Sequence, residues 1–140
     1  MQFFTIPQQN ISPIISQMPM SASRAILFGG DRYLCCDEYV VCLEGKDLIA
    51  IASIAPHGEM MSGVPTIVGA WVHPSSRKQG IGKKLIEQTL SRCQERGFEK
   101  VELDALVPAI KKIYESFPEE LKAYVILKDF SDFPSYLFLD

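Results

Sequence analysis

Arg77, Lys78, Gly80, Gly82, Lys83 and Lys84 place four cations and two glycines within eight consecutive residues. Such a run suits an anion, provided that backbone amides can point at it. Glycine allows oxyanions to approach the main chain closely, and the cations add net charge. The first turn of a helix supplies the amides, because its N–H groups lack intrahelical acceptors and sit at the positive end of the macrodipole. The chemistry of this stretch is that of a phosphate cradle.

The flanking sequence positions it. Thr66 to Val72 (T-I-V-G-A-W-V) is uncharged and rich in β-branched residues, which predicts an interior strand. His73-Pro74 ends that strand, since Pro74 has no N–H for the ladder. From Ile81 the apolar residues Ile81, Leu85, Ile86, Leu90 and Cys93 fall on one helix face. Gly97 after Arg96 is suited to cap that helix, and Phe98 to Leu103 reads as the next strand. Strand, helix, strand makes a parallel crossover, right-handed by rule. Gly69 would weaken its strand unless it marks a bulge or a close backbone approach.

Three loop types compete for the cradle. A nucleotide-triphosphate loop, G-x-x-x-x-G-K-[ST], has Arg77 at its first glycine and Lys84 at its hydroxyl position, so it fails. A dinucleotide fingerprint, G-x-G-x-x-G, has Leu85 at the third glycine and is separated from the strand by His73 to Gln79. Asp104 stands at a ribose-contact distance in that second reading. The third pattern is R-x-x-G-x-G opening a helix, here Arg77-Lys78-Gln79-Gly80-Ile81-Gly82 after Val72-His73-Pro74. This closely resembles the acetyl-CoA pyrophosphate loop of the GNAT superfamily of N-acyltransferases. An ordinary glycine- and lysine-rich connection is the plain alternative.

The resemblance implies acetyl-CoA as cosubstrate and an amine as acceptor, with no metal. The amides of residues 78 to 82 would take the diphosphate, helped by Arg77, Lys78 and Lys83. The pantetheine arm would pair with the edge of Ala70 to Val72, in a gap opened where that strand splays from its neighbour. The Val72 N–H would polarise the acetyl carbonyl. Lys111-Lys112-Ile113-Tyr114-Glu115-Ser116-Phe117 resembles the family's helix around a tyrosine that protonates the departing thiolate. A phenol with pKa ~10 is protonated at neutral pH and can do so; alternatively Tyr114 is a core residue beside Ile110 and Phe117. Two departures from the family pattern stand out, the first at a position that touches the cofactor arm. Val107 stands where many members carry asparagine, and Ser116-Phe117-Pro118 replaces the usual glycine-phenylalanine pair. No general base is assigned: Glu59 and His57 precede the central strand in a loop, and His73 directly precedes Pro74.

The rest of the chain sets bounds. Its 140 residues suit one domain spanning 1–140. With 47% apolar and 22% charged residues it reads as globular. The net charge of −3 argues against a nucleic-acid face, although Met60 to Ile86 holds no acid. Cys35, Cys36, Cys42 and Cys93 lack metal-ligand spacing, and reduced thiols in a cytoplasmic protein are expected. No early segment reads as a signal peptide or membrane span. In order, we expect a strand at Phe3 to Ile6, a short helix capped by Ser12, a hairpin of Tyr39 to Leu43 and Leu48 to Ile54, and a helix from Pro108. Ser21 to Leu27 is open between helix and loop. Leu121 to Leu127 and Tyr136 to Leu139 read as late antiparallel strands. The expected architecture is a mixed six- to seven-stranded sheet flanked by helices with splayed central strands. An acyl-CoA-binding or interaction module without turnover is the alternative function, and a homodimer is compatible with either.

Overall fold

The computed structural model describes residues 1–32, 34–105 and 108–129. Val107 and the expected strand at Tyr136 to Leu139 lie outside them. Short apolar and β-branched runs, buried throughout in β4 and β5, generate strands β1 (Gln2–Pro7), β2 (Glu38–Glu44), β3 (Asp47–Ala55), β4 (Thr66–Val72), β5 (Val101–Ala105) and β6 (Val125–Asp129). They form one sheet in the order β1-β2-β3-β4-β5-β6. The first four strands are antiparallel to one another, and β4, β5 and β6 run parallel. The helices are α1 (Ser12–Ile15), α2 (Met20–Phe28), α3 (Ile81–Glu95), α4 (Pro108–Glu115) and α5 (Glu119–Tyr124). Among the described residues, no helix is long and apolar enough to cross a membrane.

The β2–β3 hairpin closes on Gly45-Lys46, with Glu44 opposite Asp47 and Gly45 at φ 61°. The expected bulge is present: Ser53 pairs Gly69 and Ile54 pairs Ile67, so Val68 is the extra residue beside Gly69. At the far end of α3 the Gly97 N–H bonds Gln94 O and the Phe98 N–H bonds Cys93 O, the paired carbonyl capping that a left-handed glycine permits.

Three expectations are corrected. Ser12 makes no side-chain cap: it is the first residue of α1, after Ile11. Leu121 to Tyr124 is helical, because extended Pro118 offers its carbonyl to the Leu121 and Lys122 amides and Glu119 and Glu120 complement the new helix N-terminus. That helix makes a second crossover, so β6 is parallel to β5 rather than antiparallel. Ser21 to Leu27, left open by sequence, belongs to α2.

The sheet separates two cores. Ile81, Leu85, Ile86 and Leu90 of α3 and Ile110 of α4 pack on one face with Ala70, Val72, Val101 and Leu103. Ala22, Ala25 and Ile26 of α2 pack on the other with Val41, Ile51, Val68 and Trp71. On its own face α3 lies over β2, β3 and β4, while α4 lies over β5 and β6. The seam between β4 and β5 therefore runs between the two helices.

Candidate active site

The seam is open for most of its length. Parallel pairing of β4 with β5 extends only over Thr66–Glu102 and Ile67–Leu103, preceded by a bond from the Glu102 N–H to Pro65 O at 2.8 Å. Yet β4 continues to Val72, held on its other edge by pairing with β3 as far as Ala50–Val72. The next amide, of His73, donates to Ile49 O at 2.7 Å and so points toward β3. Successive amides of a strand point to opposite edges. The Val72 and Ala70 N–H groups consequently face the gap, where β5 has parted.

The cradle lies at the mouth of that gap. Gly80 precedes α3 with φ 78° and ψ 6°, and no side chain caps the helix. Its first intrahelical bond runs from the Lys84 N–H to Gly80 O at 3.3 Å, which leaves the amides of Ile81, Gly82 and Lys83 ahead of the ladder. No acid lies in the first turn. A Cβ at Gly80 would meet nothing within 4 Å, so the chain is open to solvent at that position. Lys78 also has positive φ, 64°, an uncommon and costly conformation for a residue with a side chain.

The predicted residues separate into structural and outward-facing groups. Ala70, Val72, Ile81 and Gly82 are buried and fix the strand and helix start to the core. Lys78, Gln79 and Gly80 are exposed, and Arg77 and Lys83 are half-buried. Arg77 folds back so that its Nε donates to Val72 O at 2.9 Å, placing the guanidinium group at the strand end. Tyr114 is half-buried on α4, its ring edge-on to Phe117 with centroids 6.4 Å apart. Lys122 Nζ lies 5.9 Å from the Tyr114 ring centre. Tyr114 and the cradle thus share one face of the sheet, on opposite sides of the gap.

The remaining candidates resolve as follows. His73 Nδ1 accepts the Ser75 N–H at 3.2 Å, capping the Pro74–Ser76 turn, and its ring stands edge-on to buried Trp71. His57 is exposed, whereas Glu59 reaches to 3.8 Å from Arg32. Asp104 does not serve a dinucleotide ribose. It is buried on β5 and bonded to Arg32 Nη1 at 2.7 Å, in a sheet whose first four strands are antiparallel. Burial is the main cause that pushes its carboxyl up to about 6, against the pull of Arg32. Sequence reading missed this pair. Its one signal was two acids, Glu102 and Asp104, alternating with apolar residues in V-E-L-D-A. The four cysteines are free, and burial pushes the Cys36 and Cys93 thiols up to about 12, far from a nucleophilic thiolate.

No curated protein sequence is matched by this chain. Similar solved structures include an aminoglycoside acetyltransferase, meta-AAC0020, from an uncultured soil metagenomic sample in complex with sisomicin. It has a TM-score of 0.56 and 20% identity over 84% of this chain and 88% of that one. A ribosomal-protein-alanine N-acetyltransferase from Brucella melitensis biovar Abortus 2308 has a TM-score of 0.51 and 16% identity over 73% and 77%. AAC(6')-Iy in complex with a bisubstrate analogue, CoA-S-monomethyl-acetylneamine, has a TM-score of 0.56 and 17% identity over 82% and 87%. At these identities the structures establish the fold. The family model of the acetyltransferase (GNAT) family matches residues 17–116, from just before α2 through the parted strands and the cradle to the end of α4, so the chain belongs to the GNAT acetyltransferases.

Proposed function

We propose that the chain transfers an acetyl group from acetyl-CoA to a primary amine by direct attack, with Tyr114 as general acid. The observation that carries this reading is the early end of the β4–β5 ladder at Ile67–Leu103, while β4 runs on to Val72. A strand edge left unpaired inside a sheet offers main-chain donors and acceptors to an extended amide-bearing chain. The pantetheine arm has that chemistry and would lie along Ala70 to Val72. Its diphosphate would meet the amides of residues 78 to 82 at the uncapped start of α3, with Arg77, Lys78 and Lys83 supplying charge.

Direct transfer also fits the thiols. Buried Cys36 and Cys93 are held protonated, so neither suits a covalent acyl intermediate. Attack by the amine nitrogen on the thioester carbonyl then breaks the C–S bond, and the Tyr114 phenol protonates the leaving sulfur. Its phenolate is restored by the proton that nitrogen sheds as the amide forms.

The test is acetyl-CoA with a panel of amines, namely a polyamine, an aminoglycoside and peptides with free amino groups, followed by thiol release. Turnover on at least one amine is expected, together with CoA binding that weakens in high salt. CoA binding without transfer to any amine would favour an acyl-CoA-binding module. Absence of both would overturn the reading.

A further inference from the structure

We propose that Asp104 is the base that takes the proton from the acceptor amine, and that Arg32 is the residue that positions it. This rests on the transferase reading above and adds the proton acceptor that the cradle and Tyr114 leave unassigned.

The placement comes from register. Leu103 is the last β5 residue paired with β4, so Asp104 is the first residue beyond the point where the strands part. Leu103 and Ala105 face the α3 and α4 core, so alternation turns Asp104 to the α2 face. There Arg32, just after α2, bonds Asp104 Oδ2 through Nη1 and Gly29 O through Nε at 3.2 Å. A Cβ on Gly29 would stand 3.1 Å from Arg32 Nη2 and 3.2 Å from Val68 Cγ1. Gly29 thus borders both Arg32 and Val68 of β4, and from there the guanidinium group reaches Asp104 of β5. Gly29 is what leaves room for it.

Tyr114 and Asp104 consequently flank the gap on opposite faces. Direct transfer needs a proton donor for the sulfur and a proton acceptor for the amine, and these two groups, Asp104 with a side chain only 1% exposed, would serve from the two faces of the gap. The carboxylate takes one proton from the acceptor's ammonium group and later releases it to water. The freed nitrogen forms the C–N bond as the C–S bond breaks, and the second nitrogen proton restores Tyr114.

The charges around Asp104 favour this task. Arg32 from the turn after α2 pulls its pKa down, whereas Glu59 from the turn before β4 and Glu102 on the same face of β5 push it up. Lys128 of β6, in register with Asp104, is engaged by Glu102 at 3.1 Å. With burial dominant, the carboxyl titrates at about 6, so it is ionised at neutral pH and yet basic enough to hold a proton.

The experiment is the pH profile of kcat/KM for the full chain with acetyl-CoA and spermidine, an aminoglycoside or a lysine peptide. The rate should fall below about pH 6, where Asp104 protonates. Asp104→Asn should lower kcat by ~100-fold or more, abolish that acidic limb and leave CoA affinity unchanged. Arg32→Gln should move the limb to higher pH, because the cation favouring the ionised carboxylate is gone, with rate regained as pH rises. Should Asp104→Asn fail to fold, the shift in Arg32→Gln decides alone. Turnover whose acidic limb neither substitution moves overturns the assignment of Asp104 and spares the transferase reading. No turnover by the unaltered chain on any of the three amines overturns both.

Discussion

Tyr114 concentrates the chemical question in one oxygen. If its phenol protonates the departing sulfur, Tyr114→Phe removes a proton without changing the ring that packs against Phe117. The expected result is a kcat lowered by ~100-fold or more, with CoA affinity and thermal midpoint close to those of the parent chain. A loss of stability with rate intact would instead mark a core tyrosine. The thiols give an independent check on direct transfer. Cys35 is exposed, whereas Cys36, Cys42 and Cys93 are buried and their thiols are raised by desolvation. Iodoacetamide at neutral pH should modify one cysteine quickly and the other three only on unfolding, as read by intact mass. Acetyl transfer should survive that single modification, whereas loss of turnover in step with labelling would argue for a cysteine intermediate.

At the scale of the element, the loop from Arg77 to Gly80 carries backbone strain at the spot where a diphosphate would sit. Gly80 holds φ 78° with open space around its missing Cβ. Gly80→Ala should therefore cost only the left-handed penalty, about 1 kcal/mol of stability, while adding a methyl group where the proposed diphosphate site begins. CoA affinity should fall by about tenfold or more, measured by calorimetry. Lys78→Gly should work in the opposite sense for stability, since Lys78 sits at φ 64°: the fold is maintained or gains up to about 1 kcal/mol, and CoA binding loses one cation. A CoA affinity unmoved by either change would remove the cradle from the binding site. The strand, loop and helix here were legible because their signals are local: Pro74 stops β4, Gly80 and Gly82 open α3, and 3–4 spacing continues it. The helix that carries Tyr114 was legible for the same reason, opening at Pro108. The α5 turn was not, because Leu121 to Leu127 is an apolar run whose first half is decided by Pro118 and two acids. The Arg32–Asp104 pair was beyond reach of any local pattern: its partners are 72 residues apart and meet only because β5 lies beside β4 beneath the end of α2.

For the whole molecule, Asp104 sets a cost that depends on pH. Burial pushes its carboxyl up to about 6 in the folded chain from an ordinary 3.8, so between those limits the folded state binds more protons than the unfolded state. Stability at this site is therefore greatest below the unfolded value, falls as pH rises through the window, and is level above the folded value. Asparagine at the same position does not titrate, so the difference between the parent chain and Asp104→Asn isolates the effect from the other carboxylates. In urea unfolding across about pH 4 to 7, the parent should lose up to about 3 kcal/mol relative to the variant, with most of the change before about pH 6. A difference that stays flat, or one that turns in favour of the parent as pH rises, would mean that Arg32 compensates the buried charge fully. In that case Asp104 would be an ordinary ion pair across the sheet. The predicted loss means instead that the fold bears an ionised group it disfavours. That same disfavour lets the carboxylate take a proton from an amine close to neutral pH.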